Sequence, residues 1–184
     1  CIGCRKCELA CNQVNKLPAP ETSFEDLRVL DGKRRPTAGS YTVVNRYYPG
    51  QLTERGELVP SFVKIQCMHC LPPSCVSACI VGALTKARDG SVVYNSRICL
   101  GCRYCQVACP FEIPAYEFHE PLTPRVRKCE FCADPQKGTG ANPACAASCP
   151  TEALVFGKRE ALILLARDRL KRRPDRYLQT IYGE

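Results

Sequence analysis

The chain has no tryptophan, one methionine and two histidines, and only 8% of its 184 residues are aromatic. Large side chains are too few for an ordinary core at this length, which suits one domain or two small ones. Something besides hydrophobic burial must hold the chain together. Long apolar runs are missing as well. The longest uncharged one, Ala161–Ala166, has six residues, whereas a bilayer span needs about 20, so this stretch of chain does not cross a membrane. There is no signal-peptide pattern, and residue 1 is a cysteine rather than an initiator methionine. Cys1 is read below as a metal ligand, so the chain is expected to be a portion of a longer one. Its missing targeting segments then carry no information on localisation.

Cysteine is what the chain has in excess, 16 residues, far above the usual share. They fall into four groups of four. Group one is Cys1, Cys4, Cys7 and Cys11, and group three is Cys99, Cys102, Cys105 and Cys109 before Pro110; both read C-x2-C-x2-C-x3-C. Group two, Cys67, Cys70, Cys75 and Cys79, reads C-x2-C-x4-C-x3-C. Group four, Cys129, Cys132, Cys145 and Cys149 before Pro150, reads C-x2-C-x12-C-x3-C. The first pattern is the bacterial ferredoxin run, in which three thiolates hold one [4Fe–4S] cubane and the fourth ligates a neighbouring one. Groups two and four are the same run with a longer loop before the third ligand, and no cysteine is left over.

Three plainer readings fare worse. A disulfide scaffold requires paired Cα atoms about 4.4–6.8 Å apart and does not demand one terminal x3 spacing four times. Structural zinc takes two C-x2-C pairs across a long spacer, whereas groups one and three carry three evenly spaced cysteines on one loop. Scattered buried thiols would show no spacing. Charge agrees with clusters. The formal balance of +8 counts cysteines as neutral; each oxidised cubane with four thiolates carries about −2, so four would bring the protein close to neutrality. The basic excess therefore reads as internal counter-charge rather than a nucleic-acid surface. The runs Lys33–Arg34–Arg35 and Lys171–Arg172–Arg173 read as solvated faces.

The fold class expected is α+β: tandem bacterial-ferredoxin-like, two double-cluster modules, with a β-hairpin insertion and a C-terminal helix. After group two, Ala83–Lys86, the turn Arg88–Asp89–Gly90 and Ser91–Tyr94 read as a hairpin leading into group three. The segment after group four repeats the pattern, since Ala83–Leu84 and Ala153–Leu154 follow Cys79 and Cys149 at the same offset. One module is then residues 66–120, with groups two and three. The other is 1–17 plus 121–157, with groups one and four. Residues 18–65 are an insertion whose β-prone Tyr41–Tyr48 and Phe62–Ile65 suggest a hairpin. Pro114, Pro121 and Pro124 mark the connection between the halves, and 133–144 is a loop within group four. Residues 158–184 form a helix and tail, with an apolar stripe of Leu162, Leu165, Ala166 and Leu170 for core or subunit packing and Pro174 as its stop. The ferredoxin crossing rule predicts four sites: Cys67, Cys70, Cys75 with Cys109; Cys99, Cys102, Cys105 with Cys79; Cys1, Cys4, Cys7 with Cys149; and Cys129, Cys132, Cys145 with Cys11. The last two extend the rule to cysteines at opposite ends of the chain.

His69, between Cys67 and Cys70, reads as a loop residue hydrogen-bonding near a cluster rather than as a ligand. His119 is given no role. Tyr47, Tyr48 and Tyr104 read as packing, with Tyr104 shielding a cluster. Arg5, Lys6, Arg97, Arg103 and Lys128 adjoin ligands, where positive charge would raise a cluster's potential; generic surface charge is the competing reading.

On these motifs the sequence resembles the four-cluster ferredoxin subunits of the dimethyl-sulfoxide-reductase type. Within that type "CIGCRKCELACNQVNKLPAP", "TVVNRY", "CRYCQVACPFEIPAY" and "RYLQTIYGE" resemble the iron–sulfur subunit of the high-molecular-weight cytochrome c complex, with the hydrogenase-2-type ferredoxin subunit a near relative. The resemblance implies a place on the periplasmic face of the cytoplasmic membrane after twin-arginine export. It implies docking on a polytopic quinone-interacting membrane subunit, with a multihaem cytochrome c or a catalytic oxidoreductase subunit as the other partner. It also implies a longer chain, often with a membrane anchor. The site containing Cys99 would lie nearest the membrane. All sixteen ligands are present, so four [4Fe–4S] clusters are expected, with no three-iron variant. The function expected is a non-catalytic electron wire, membrane-associated through partners. No acid–base pair, nucleophile or open metal position suggests catalysis. A stand-alone soluble polyferredoxin is the alternative, and a site-differentiated catalytic cluster is disfavoured by the complete ligand set.

Overall fold

The computed structural model describes residues 1–118, 120, 122, 125–133 and 142–183. His119, Pro121, Pro124 and residues 134–141 of the group-four loop lie outside the described residues. The elements are short, as expected of a chain whose apolar stretches are short. In order they are helix α1 (Lys6–Val14), a 3-10 helix (Leu27–Gly32), strands β1 (Val43–Tyr47) and β2 (Ser61–Ile65), α2 (Ser74–Ser77), β3 (Leu84–Lys86), β4 (Val92–Tyr94), α3 (Tyr104–Val107), β5 (Ala115–Tyr116), β6 (Val126–Arg127), α4 (Ala144–Ala147) and α5 (Arg159–Arg172).

Among the described residues the strands pair only with their neighbours, as three antiparallel two-stranded sheets. Val43 and Val44 in β1 and Val63 and Ile65 in β2 favour extended backbone, and the strands pair in the register Val43↔Ile65, Val44↔Lys64 and Asn45↔Val63. The 3-10 helix packs on β1. It starts where the Asp26 carboxylate accepts a hydrogen bond from the Arg28 amide at 3.0 Å. β3 and β4 flank the Asp89–Gly90 turn, where Asp89 Oδ1 accepts from both Ser91 N (2.9 Å) and Ser91 Oγ (2.7 Å).

Glu8 ties the insertion to α1. Its buried carboxylate accepts from Arg5 Nη2 at 3.0 Å, Arg34 Nη2 at 2.8 Å and the Val44 amide at 2.6 Å. Arg34 is thus drawn inward, so the run Lys33–Arg34–Arg35 is not a uniformly solvated face; Lys33 and Arg35 alone are exposed.

Two small apolar cores result, each containing a cysteine. One joins Leu84, Val92, Cys105 and Val126, and the other Cys7, Leu30 and Val44. The half-repeat after group four is incomplete. Ala83 and Leu84 are buried and Leu84 opens β3, whereas Ala153 is exposed, Leu154 is half-buried and no strand follows among the described residues. Leu84 has β4 to pair with, and Leu154 has no following strand. α5 spans the expected residues, yet none of them is buried within this chain. No helix among the described residues is long and apolar enough to cross a membrane.

Candidate metal centres

All four cysteine groups use one local geometry. The second residue after the first cysteine has positive φ in each: Gly3 (71°), His69 (47°), Gly101 (70°) and Phe131 (66°). This left-handed kink turns the chain between the first two thiols. At Gly3 only glycine fits, because an added Cβ would lie 2.5 Å from the Phe62 ring. In groups one and three a second left-handed residue, Arg5 or Arg103, then starts the helix. The last two cysteines of every group are separated by three residues. In group one both lie on α1, which puts Cys7 and Cys11 on one face, about 6 Å apart along the axis; in the other groups the third cysteine is on the helix and the fourth lies just past its end. α1 packs against α4 and α2 against α3, so each helix pair presents thiols from two groups to the same space.

Four cavities follow, each lined by four cysteines. The first, of about 380 Å³, is lined by Cys1, Cys4, Cys7 and Cys149. The second, about 200 Å³, is lined by Cys11, Cys129, Cys132 and Cys145. The third, about 20 Å³, is lined by Cys67, Cys70, Cys75 and Cys109. The fourth, about 20 Å³, is lined by Cys79, Cys99, Cys102 and Cys105. In each, three thiols come from one group and one from another. Another cavity of about 470 Å³, between α1 and residues 17–24, touches only Cys11. Among the described residues no three His, Cys, Asp or Glu side chains converge as the ligands of a single ion would. The thiols instead ring spaces between elements.

The donor set fits an iron–sulfur cubane. Four sulfurs face each space, much of the remaining lining is Val, Leu, Ile, Phe, Ala and Pro, and nearby N–H groups point at sulfur. Ala83 N donates to Cys79 Sγ at 3.1 Å, Gly101 N to Cys99 Sγ at 3.4 Å, Phe131 N to Cys129 Sγ at 3.4 Å and Asn15 Nδ2 to Cys11 Sγ at 3.5 Å. Such bonds stabilise charge on a ligating sulfur. Burial, reinforced by neighbouring thiols and opposed by Lys64, pushes Cys7 up to about 11 and Cys11 up to about 12. Burial and the other thiols likewise raise Cys105 to about 11. Sets of this kind ionise together only against a cationic core. Cys149 runs the other way: burial would raise it, but hydrogen bonds from the Leu154 and Thr151 amides and the Thr151 hydroxyl outweigh that and hold it below the ordinary value.

The charges flagged beside the cysteines divide sharply. Lys6, Arg97 and Arg103 are exposed; Arg103 lines the fourth cavity and lies over the Tyr116 ring, 5.4 Å from its centroid. Arg5 is buried, but Glu8 neutralises it and its Nη1 donates to Ser23 O at 2.7 Å, so it acts as an anchor and not as free positive charge. Lys128 is buried and lines the third cavity. Lys64, not singled out by sequence, lines both the first and the second cavities; the available signal was a lone charge in the apolar strand Phe62–Ile65. Tyr104 is 58% exposed and lines none of the four. Tyr94 lines the fourth instead, and its hydroxyl accepts from Val126 N at 3.3 Å. His69 lines the third cavity, and its Nδ1 accepts from Val92 N at 2.9 Å. Burial, then Lys128 and Lys86, lower its pKa to about 3, so the imidazole is neutral.

Residues 59–159, more than half of the chain, match the family model of the 4Fe-4S dicluster domain. A protein of Nitratidesulfovibrio vulgaris (strain Hildenborough) is 52% identical over all of this chain and 48% of its own length. The hydrogenase-2 operon protein HybA of Escherichia coli O157:H7 is 37% identical over 95% of this chain and 54% of its own. The thiosulfate reductase electron transfer subunit PhsB of Salmonella typhi is 35% identical over 86% of this chain and 71% of its own. The chain spans about half the length of the first two. The family match, these relatives and the cysteine-lined cavities agree, and the chain belongs to the 4Fe-4S dicluster domain family.

Proposed function

We propose that the chain is a non-catalytic electron-transfer subunit that holds four [4Fe–4S] clusters, one in each cavity, with the four lining cysteines as ligands. The observation that carries this reading is the four-way division of sixteen cysteines into quartets, each three from one group and one from another. A bound cluster would accept and release one electron. The thiolates hold it, the amides of Ala83, Gly101 and Phe131 stabilise charge on sulfur, and the apolar walls exclude water. The same division supports the tandem arrangement, with 66–120 as one double-cluster module, 1–17 plus 121–157 as the other, and 18–65 and 158–184 as additions.

The cavities form a row. Lys64, Ala153 and Leu154 line both the first and the second. Phe131 of the second stacks on His69 of the third, ring centroids 4.5 Å apart. The third and fourth are joined through α2 and α3. The two exposed cysteines, Cys1 and Cys102, belong to the first and fourth, which suits electron entry and exit at the ends.

In the assembly, the row connects a periplasmic redox partner with a polytopic quinone-interacting membrane subunit. The periplasmic partner is a multihaem cytochrome c or a catalytic oxidoreductase subunit. The protein stands on the periplasmic face of the cytoplasmic membrane, held there by its partners. HybA and PhsB, named for hydrogenase and thiosulfate reductase systems, support such a role. The test is purification of the full-length protein from membranes in mild detergent, with iron, sulfide and haem counted on the co-purifying subunits. Iron for four cubanes together with a polytopic subunit is the expected result, and haem c identifies the cytochrome branch. Recovery as a free soluble protein refutes the membrane assembly and leaves a polyferredoxin. The crossing is tested by Cys79→Ser, which should alter the cluster of Cys99, Cys102 and Cys105 and spare that of Cys67, Cys70 and Cys75.

A further inference from the structure

The third cavity differs from the others in what surrounds its thiols. His69 is 7% exposed and its Nε2 has no hydrogen-bond partner among the described residues. Val92 N donates to Nδ1, so Nδ1 carries the lone pair and the ring proton sits on Nε2. A buried N–H without an acceptor is costly and calls for one. The ring is not free to turn and find another. Its Nδ1 is held by β4, its own carbonyl accepts from Lys86 Nζ at 2.6 Å, and one face lies on Phe131. The space it lines is that of Cys67, Cys70, Cys75 and Cys109.

Lys128 lines the same space and is 3% exposed. Its ammonium donates to Val92 O and, at 2.9 Å, to Cys129 O. Two of its three N–H groups are thereby used, and no carboxylate pairs with it among the described residues. A buried cation needs an anion. A cubane with four thiolates, at about −2 when oxidised and more negative when reduced, is one.

We propose that the His69 Nε2–H donates a hydrogen bond to the cluster held by Cys67, Cys70, Cys75 and Cys109, and that together with the Lys128 ammonium it holds that cluster's reduction potential above what the four cysteines alone would set. The inference rests on the cluster assignment proposed above. Both groups favour the more negative, reduced state, because a donor and a cation each interact more strongly as charge accumulates on the cluster. His69 is a positioning and tuning residue, not a ligand.

The test uses the iron-loaded full-length protein, titrated potentiometrically and followed by EPR. His69→Leu and Lys128→Met should each lower one midpoint of four while the other three stay in place. The expected size for His69→Leu is about a tenfold loss in the reduction equilibrium, or 59 mV for a one-electron couple. In reduced protein labelled with 15N-histidine, pulsed EPR should show a nitrogen coupling and an exchangeable-proton coupling that both vanish in His69→Leu. Unchanged midpoints in both variants at full iron content overturn the proposal, as does an absent nitrogen coupling in the labelled wild type. If His69→Leu loses iron, the wild-type spectrum and the Lys128→Met midpoints decide. Wild-type protein that carries iron for fewer than four clusters refutes the assignment itself, and the iron count separates that outcome from a failure of His69 alone.

Discussion

Replacing Glu8 by alanine should unlock the first cysteine loop from the insertion. Glu8 and Arg5 have side chains 2% and 1% exposed, so this ion pair lies out of water. Glu8 Oε2 accepts from Arg5 and from Arg34 Nη1, and Oε1 accepts from Arg34 Nη2 and the Val44 amide. The alanine variant leaves a buried guanidinium without its carboxylate. Removing one partner of such a pair costs about 3–5 kcal/mol, a range that already includes the stranded hydrogen bonds. Arg5 keeps its bonds to the carbonyls of Ser23 and Asp26, which favours the lower end. With an m-value of about 4 kcal/mol/M in guanidinium chloride, the unfolding midpoint should fall by roughly 1 M. Circular dichroism reports the fold and visible absorbance the clusters. The absorbance change should come first from the site of Cys1, Cys4, Cys7 and Cys149, because Arg5 stands between Cys4 and Cys7. Glu8→Gln, which keeps one acceptor oxygen but loses the charge and the second acceptor, should fall between wild type and alanine. A midpoint within 0.1–0.2 M of wild type for Glu8→Ala, equivalent to about 0.5 kcal/mol, would refute the reading of Glu8 as the anchor.

Gly3→Ala should destabilise the protein by about 2 kcal/mol or more, from the left-handed φ of 71° and the contact with Phe62. Iron should be lost from the first cavity; full iron occupancy at wild-type stability would count against the glycine requirement. Asp89→Ala should weaken the β3–β4 turn by about 1 kcal/mol through its lost bonds to Ser91, seen as faster amide exchange in Val92–Tyr94. The Ser91 hydroxyl and amide hold the Asp89 carboxyl below its usual value. Its contribution is therefore present above the unfolded carboxyl range and is lost as pH falls through the lower folded value. Asp89→Ala should remove that part of the acid-side loss. Identical acid profiles for the two proteins would refute it.

The four cysteine groups were legible in the sequence for a local reason. In the two regular runs the spacing is dictated by one kink and one helical turn, and Gly3 and Gly101 stand at those kinks. The positions of β1 to β4 were legible for the same reason, because β-prone runs flanked by turn residues need no distant partner to be recognised, whereas β5 and β6, two residues each, lie in what read as a connection. What the sequence did not reveal depends on contacts made far along the chain. Arg5 looked like free charge beside a ligand, and its bonds to the carbonyls of Ser23 and Asp26, 18 and 21 residues on, make it an anchor. His69 was read as a loop residue that hydrogen-bonds near the cysteines, but which nitrogen is used was not legible, because Val92, 23 residues on, fixes the tautomer. Tyr104 was expected to shield a cluster, but its helix turns it outward and Tyr94 lines the cavity instead. Ala153–Leu154 matched Ala83–Leu84 in sequence without a second strand to pair with.

The sequence by itself determined the number, grouping and local geometry of the cysteines, because those are set by spacing within a turn or two. Only the tertiary structure decided which charges are neutralised and which remain facing a cavity, because burial and pairing depend on elements far apart in the chain.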